Sequence, residues 1–355
     1  GAKGSLPQAA RHVLEAAGER LDTLCSSGKW GPKTRTTPTA SLDPEAPRIC
    51  AKWDDGVYVL LKPPNWEVDV AAEASASGTY FASTAGHAAR KVSSFLKTRF
   101  DGASIASDAS HDLGLLHRLD TNSSGLLLGA CTYKAYYLLH WALHTYLIER
   151  EYVVLCHGHV ESSLLRIERR LIVRGRTSHT TQGDAGCTAG LPAITRVKVI
   201  AHLRRPAYSS SSLHRLQTRL SRRPAAGTNL SLLVLSIHTG RHHQIRAHLS
   251  SLGHPVVCDA RYATDPHMFE DDRSWCPRNF LHRFRLAGIP RANGAGQHEA
   301  VTVGLPEDLA AALASCTPGD EASATAAASW SRDAPPHLLL SFEEWQVLQT
   351  SAQNS

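Results

Sequence analysis

The sequence predicts an α+β chain built on a mixed, mainly antiparallel sheet with peripheral helices. Three observations predict it. Strand-length apolar runs recur from Val57 to Leu286, few complete helices stand between them, and no apolar run reaches the roughly 18 to 20 residues needed to cross a bilayer. With 355 residues and 42% apolar composition, the chain can bury one large core or two smaller ones.

Residues 1–50 read as an N-terminal extension, with a short helix at Gln8 to Leu24 followed by a Pro, Ser, Thr and Gly-rich linker. Val57 to Leu61 is a compact strand that Pro63-Pro64 terminates, because proline cannot donate to a ladder. A helix follows in HAARKVSSFLKTRF, with Ala88, Val92, Phe95 and Leu96 on one face. Leu113 to Leu119 and Gly125 to Ala130 read as two strands around the turn DTNSS, Thr132 to Leu147 as a helix and Glu151 to Cys156 as a strand.

Ser163 to Ile172, Ala193 to His202 and Leu230 to Ile237 continue the strand series, and His243 to Leu252 starts a helix after a Thr-Gly turn. The acidic, aromatic stretch MFEDDRSWCPRN reads as a loop before a strand at Phe280 to Leu286. Thr302 to Leu305 reads as extended. Pro306 to Ser315 reads as a helix, since Pro and two acids stand at its start. Thr317 to Pro336 reads as linker and His337 to Gln349 as a last patterned piece, so residues 317–355 form a C-terminal extension to a main domain of residues 51–316.

Net charge is +6, and its distribution is more telling than its total. No Asp or Glu occurs from Ala185 through Cys258, a stretch that holds Arg196, Lys198, Arg204, Arg205, Arg215, Arg219, Arg222, Arg223, Arg241 and Arg246. Such a field suits a phosphate backbone or a solvated basic surface. Within it, residues 206–227 form a basic, serine-rich insertion that clamps RNA, binds a protein partner or is a plain surface loop. The eight cysteines are dispersed without a CxxC pair, which fits free thiols in a reducing compartment. No secretory signal is evident, so a soluble intracellular protein of the cytoplasm or an organelle matrix is expected, with no membrane partner.

Two constellations carry chemistry. LLHRLDTNSSGLLLGA presents Asp120 beside a polar turn, an arrangement that in isolation is an ordinary Asx-turn. SIHTGRHHQIRAHLSSLGHPVVCDARY places Arg246 on a helix start, where a guanidinium can grip a carboxylate through two parallel bonds and keep it ionised. Its histidines are joined by no cysteine or carboxylate at a ligand spacing, so no metal is expected. A hydrolase is disfavoured too, since no serine or cysteine elbow is present.

Together these stretches resemble the RluA-type family of RNA pseudouridine synthases. The resemblance rests on HRLD at His117 to Asp120, SSGLLL at Ser123 to Leu128, TGRHHQIRAH at Thr239 to His248 and LGHP at Leu252 to Pro255. LKPP near Lys62, REY at Arg150 to Tyr152, AITRV near Thr195 and NFLHRFRL at Asn279 to Leu286 support it in the same order. It implies the pseudouridine synthase catalytic fold with a central RNA-binding cleft, and isomerisation of uridine to pseudouridine in ribosomal or transfer RNA without a cofactor.

The resemblance also implies roles. Asp120 becomes the reactive carboxylate, as nucleophile or base, with Tyr152 packing on the target base and Arg246 as countercharge. Arg118 is expected to approach the RNA. The basic character of the chain adds Arg241, His243, Arg204, Arg205, Arg222 and Arg223 as RNA-binding candidates. Departures from the family pattern are KPPNW at Lys62 to Trp66, Cys258 before Asp259, and Arg150 ahead of Tyr152. The second reading is a catalytically silent RNA-binding or ribonucleoprotein scaffold of the same fold, with a protein partner held by the extensions or the insertion.

Overall fold

The computed structural model describes residues 45–69, 90–175, 177–181, 189–205, 228–291 and 298–330. The expected helix at Gln8 to Leu24, the insertion 206–227 with Arg222 and Arg223, and the piece at His337 to Gln349 lie outside them. The chain forms two compact units, Gly1–Glu149 with Arg285–Val301, and Arg150–Phe284 with Thr302–Ser355.

In the first unit, strands β1 (Arg48–Lys52), β2 (Val57–Lys62) and β5 (Ser124–Ala130) lie side by side and antiparallel. A two-residue parallel pair, β3 (Trp66–Glu67) with β4 (Arg90–Lys91), precedes helix α1 (Val92–Arg99). Every residue of β5 is buried, as the run SGLLLGA requires of a strand covered on both faces. Helix α2 (Tyr133–His144) starts at Thr132, whose hydroxyl accepts from the Ala135 amide at 3.2 Å.

The second unit orders β6 (Glu149–His157), β11 (Thr228–Ile237) and β10 (Ile194–Arg205) as neighbours, all antiparallel, with the short β7 (Arg166–Glu168) on β10. β8 (Leu171–Arg174) and β9 (Thr177–Thr180) make a separate hairpin. Helices α3 (Gln244–Ser251), α4 (Pro266–Arg273), α5 (Glu307–Ala314) and α6 (Glu321–Trp330) lie at the margins, and β14 (Thr317–Pro318) edges β10. Strand β12 (Leu281–Pro290) runs on into the first unit and pairs with β13 (His298–Thr302). Val153, Leu155, Leu232, Val234, Phe280, Phe284, Leu309, Leu313 and Trp330 build the core of the second unit.

The mixed, mainly antiparallel architecture with helices at its margins is the one the sequence predicts, but four local readings change. Leu113 to Leu119 is not a strand. Asp108 caps a 3-10 segment, Ala109–Gly114, and Asp112 and Leu113 take positive φ of 49° and 58°. Gly114 follows at +81°, where a Cβ would stand 2.2 Å from the Ala130 carbonyl. The stretch meets β5 through an isolated bridge, Leu115 to Gly129, and through the Leu116 amide, which donates to the Leu128 carbonyl at 3.1 Å.

The acidic stretch read as a loop is largely α4. Asp265 caps it by accepting from the His267 amide at 2.9 Å, and Pro266 pre-sets the first turn. Ser163 to Ile172 breaks into β7 and β8, because Arg169 and Arg170 turn out of the ladder to reach the carbonyls of Ser251 and Gly190. Thr317 to Trp330, read as linker, forms β14 and α6. Asp320 caps that helix through the Ser323 amide at 2.7 Å, and Trp330, only 2% exposed, meets the Phe284 ring edge-on at 4.9 Å.

Candidate functional site

Asp120 lies in the first unit on an irregular stretch that leads through a turn into β5, and it is half-buried. The turn closes when the Ser123 amide donates to the Asp120 carbonyl at 3.1 Å. The next carbonyl, Thr121, is held from two sides, by the Asn65 amide at 2.8 Å and the Lys62 ammonium at 3.1 Å. Lys62 is fully buried at the end of β2, and its Nζ also donates to the carbonyls of Pro63 at 3.0 Å and Trp66 at 2.9 Å. One buried cation thereby gathers the LKPP turn and the chain beside Asp120, as charge-assisted bonds to carbonyls can.

Asn65 takes a φ of 63°, a conformation asparagine tolerates better than most residues. Trp66 donates its indole N–H to the Glu45 carbonyl at 2.8 Å. Arg118 is exposed, and the His117 ring accepts from the Leu128 amide at 3.3 Å.

In the second unit the TGRHHQIR stretch is organised by Gln244. Its Oε1 accepts from the Thr239 hydroxyl at 2.8 Å and the Arg241 amide at 3.1 Å, while its Nε2 donates to the Ile194 carbonyl at 2.9 Å. The network continues through Thr195, which also receives Gln244 Nε2 and lies 2.9 Å from His248 Nδ1; His248 Nε2 is 3.2 Å from the Arg169 carbonyl. Burial holds the His248 pKa down at about 4, so the ring is neutral at pH 7. A neutral tautomer with its proton on Nε2 satisfies both neighbours.

Arg246 is buried on α3, and the fork it offers closes on Asp259, Nε to Oδ2 at 2.6 Å and Nη2 to Oδ1 at 2.7 Å. Its guanidinium lies 4.9 Å from the Tyr262 ring. The Tyr262 oxygen in turn meets the Ser178 amide at 2.7 Å and His243 Nδ1 at 3.0 Å. His243 therefore enters the packing of α3, in a left-handed conformation at the helix start.

Tyr152 is buried on β6, and two nitrogens of Arg283 donate to its hydroxyl, Nε at 2.8 Å and Nη2 more closely. The other basic candidates differ in availability. Arg204 is exposed, and Arg241 is exposed while donating to the Pro192 carbonyl at 3.3 Å. Arg205 is engaged inside the unit, with the Ser315 carbonyl at 2.6 Å and the Trp275 ring at 5.0 Å.

Sequence reasoning missed Lys62, Asp259 and Arg283 as contributors. The available signals were a lysine ending an apolar strand, a lone acid after an acid-free stretch, and an arginine between His282 and Phe284 in a strand that is otherwise mostly apolar apart from Arg285. Among the described residues no group of three or more His, Cys, Asp or Glu is placed to hold a metal ion. None of the described helices is long and apolar enough to cross a membrane. The six described cysteines are free, and burial raises Cys258 to about 12 and Cys316 to about 11, which leaves them as thiols.

The family model described as RNA pseudouridylate synthase matches residues 56–251. RNA pseudouridylate synthase domain-containing protein 1 of Mus musculus is 30% identical over 214 residues, 59% of this chain and 60% of that protein. Ribosomal large subunit pseudouridine synthase D of Nitrosomonas europaea is 31% identical over 205 residues, 56% of this chain and 50% of that protein. The matches thus span at most about three-fifths of these relatives. The solved structure of human RNA Pseudouridylate Synthase Domain Containing 1 shares the fold, with a TM-score of 0.53 and 23% identity over 86% of this chain and 94% of that one.

Proposed function

The chain belongs to the RluA-type RNA pseudouridylate synthase family, and from that premise we propose that it converts uridine to pseudouridine within RNA. The observation that carries the proposal is the family match over residues 56–251, which contains Asp120, Tyr152 and Arg246 in the family's order. The catalytic domain is assigned to residues 51–316, with the two ends as extensions.

The reaction breaks the N1–C1′ bond, turns the uracil and joins its C5 to C1′; the proton leaves C5 and N1 gains one, so the net change is an isomerisation. Asp120 is assigned the reacting carboxylate, by attack at C1′ or by removal of the C2′ proton. Arg246 supplies the countercharge, and its fork with Asp259 supports the role because it leaves the guanidinium one orientation. Tyr152 packs on the turned-out base, in a cleft that receives the RNA. Extrusion of the base costs a few kcal/mol, which phosphate contacts from Arg118, Arg241 and Arg204 help to offset. Ribosomal RNA is the first substrate to try, given the name of the bacterial relative.

The test is incubation of the purified chain with ribosomal and transfer RNA, read as carbodiimide-adduct stops in primer extension. Asp120→Asn is expected to lower the rate by at least about 1,000-fold. Undiminished product from a folded Asp120→Asn protein sinks the assignment; RNA binding without product from the unsubstituted chain favours the silent scaffold.

A further inference from the structure

A sheet has two faces, and side chains alternate between them along each strand. On β6 Val153 lies in the apolar core of the second unit, as do Val234 on β11 and Phe284 on β12. Their neighbours Tyr152, Leu235 and Arg283 therefore point to the opposite face. Tyr152 is in register with Leu235, and the Leu155 amide meets the Phe280 carbonyl, so β6 and β12 are adjacent. Arg283 is 2% exposed and Tyr152 3% exposed. An arginine stays charged at any working pH, and its burial costs several kcal/mol unless its donors are met.

Two of those donors converge on one phenolic oxygen, with the guanidinium carbon 4.9 Å from the ring centroid. A guanidinium has no acceptor, so the tyrosine oxygen must accept from it through its lone pairs. The single hydroxyl proton is then left to be given to another group. Both consequences bear on an aromatic ring that must lie flat against a nucleobase: its position is fixed by a charged tether, and its hydroxyl has a defined sense.

We propose that Arg283 is the positioning residue for Tyr152 in the isomerisation of uridine. It acts through the tyrosine hydroxyl and does not itself meet the RNA. The inference rests on the activity proposed above, and it goes further by assigning a residue that the matched motifs leave without a role.

The experiment is a double-mutant cycle with Arg283→Met, Tyr152→Phe and the pair, plus Arg283→Lys, each checked for native near-ultraviolet circular dichroism. Arg283→Met is expected to lower kcat about 30-fold with KM within about twofold, and Arg283→Lys to recover part of the loss. In the Tyr152→Phe background the same substitution is expected to cost less than about threefold, since the oxygen it acts through is gone. If Arg283→Met does not fold, Arg283→Lys takes its place in the cycle with the same expected loss of effect. Multiplicative losses, or an Arg283→Met protein with unchanged kcat, overturn the inference while leaving the activity standing. An unsubstituted chain that makes no pseudouridine overturns the activity and this role together.

Discussion

Each unit buries a cation beside a recognised motif, and the two do so by different means. In the first, Lys62 is met by the main-chain carbonyls of Pro63, Trp66 and Thr121, so the charge is satisfied only while those loops keep their course. In the second, Arg246 is met by the carboxylate of Asp259 in a two-bond fork, a side-chain device that sets the orientation of the guanidinium itself. The first arrangement organises a backbone and the second aims a side chain. A carboxylate that sits on a turn is governed through the turn, whereas an arginine on a long flexible stem has to be gripped near its head.

The sharpest separation is expected from Asp259→Ala. It strands a buried guanidinium and should lower stability by about 3 to 5 kcal/mol, read as a lower urea midpoint at unchanged slope. Lys62→Met should cost about 1 to 3 kcal/mol by removing the donor that three part-buried carbonyls share. Its signature should be faster amide exchange at Asn65 and Ser123, with α3 unaffected; equal loosening of both places would erase the distinction between the units.

A smaller effect is expected from acid. Burial keeps the His248 pKa at about 4, below its unfolded value, so on acidification the unfolded chain takes up a proton first. Stability in the second unit is therefore lost as pH falls from about 6.5 to about 4, by on the order of 3 kcal/mol. In the first unit, burial of Asp108 opposes ionisation, but hydrogen bonds from Ser110, Tyr133 and His111 outweigh it and bring the pKa to about 2. Its contribution is present above the ordinary carboxylate range and fades only as pH falls toward that value. Amide exchange in α3 is expected to quicken before that in the Ser104 to Gly114 turns, and His248→Gln is expected to flatten the second unit's response.

Some of this was legible in the residues. The strands at Val57, Gly125, Glu151 and Leu230 announce themselves through apolar runs ended by turn residues. The helix at Tyr133 does so through its spacing, and the order of HRLD, TGR, HQIR and GHP points to the family. Less legible were the helices at Pro266 and Glu321. Their acidic or small residues read as solvent-facing loop, yet Asp265, Asp320 and Trp330 cap and anchor them. The apolar run at Leu113 to Leu119 misled in the other direction, because Gly114 approaches the Ala130 carbonyl where no strand residue fits.

By itself the sequence determined the mainly antiparallel class, the family and the identity of the motif residues, because these depend on local pattern and on order along the chain. Only the tertiary structure decided what holds those residues. Lys62 meets Thr121 across 59 positions, Arg246 meets Asp259 across 13, and Arg283 meets Tyr152 across 131. Such partners are selected by the need of buried charges and hydroxyls for hydrogen bonds, a requirement of the folded interior that periodicity along the chain does not encode.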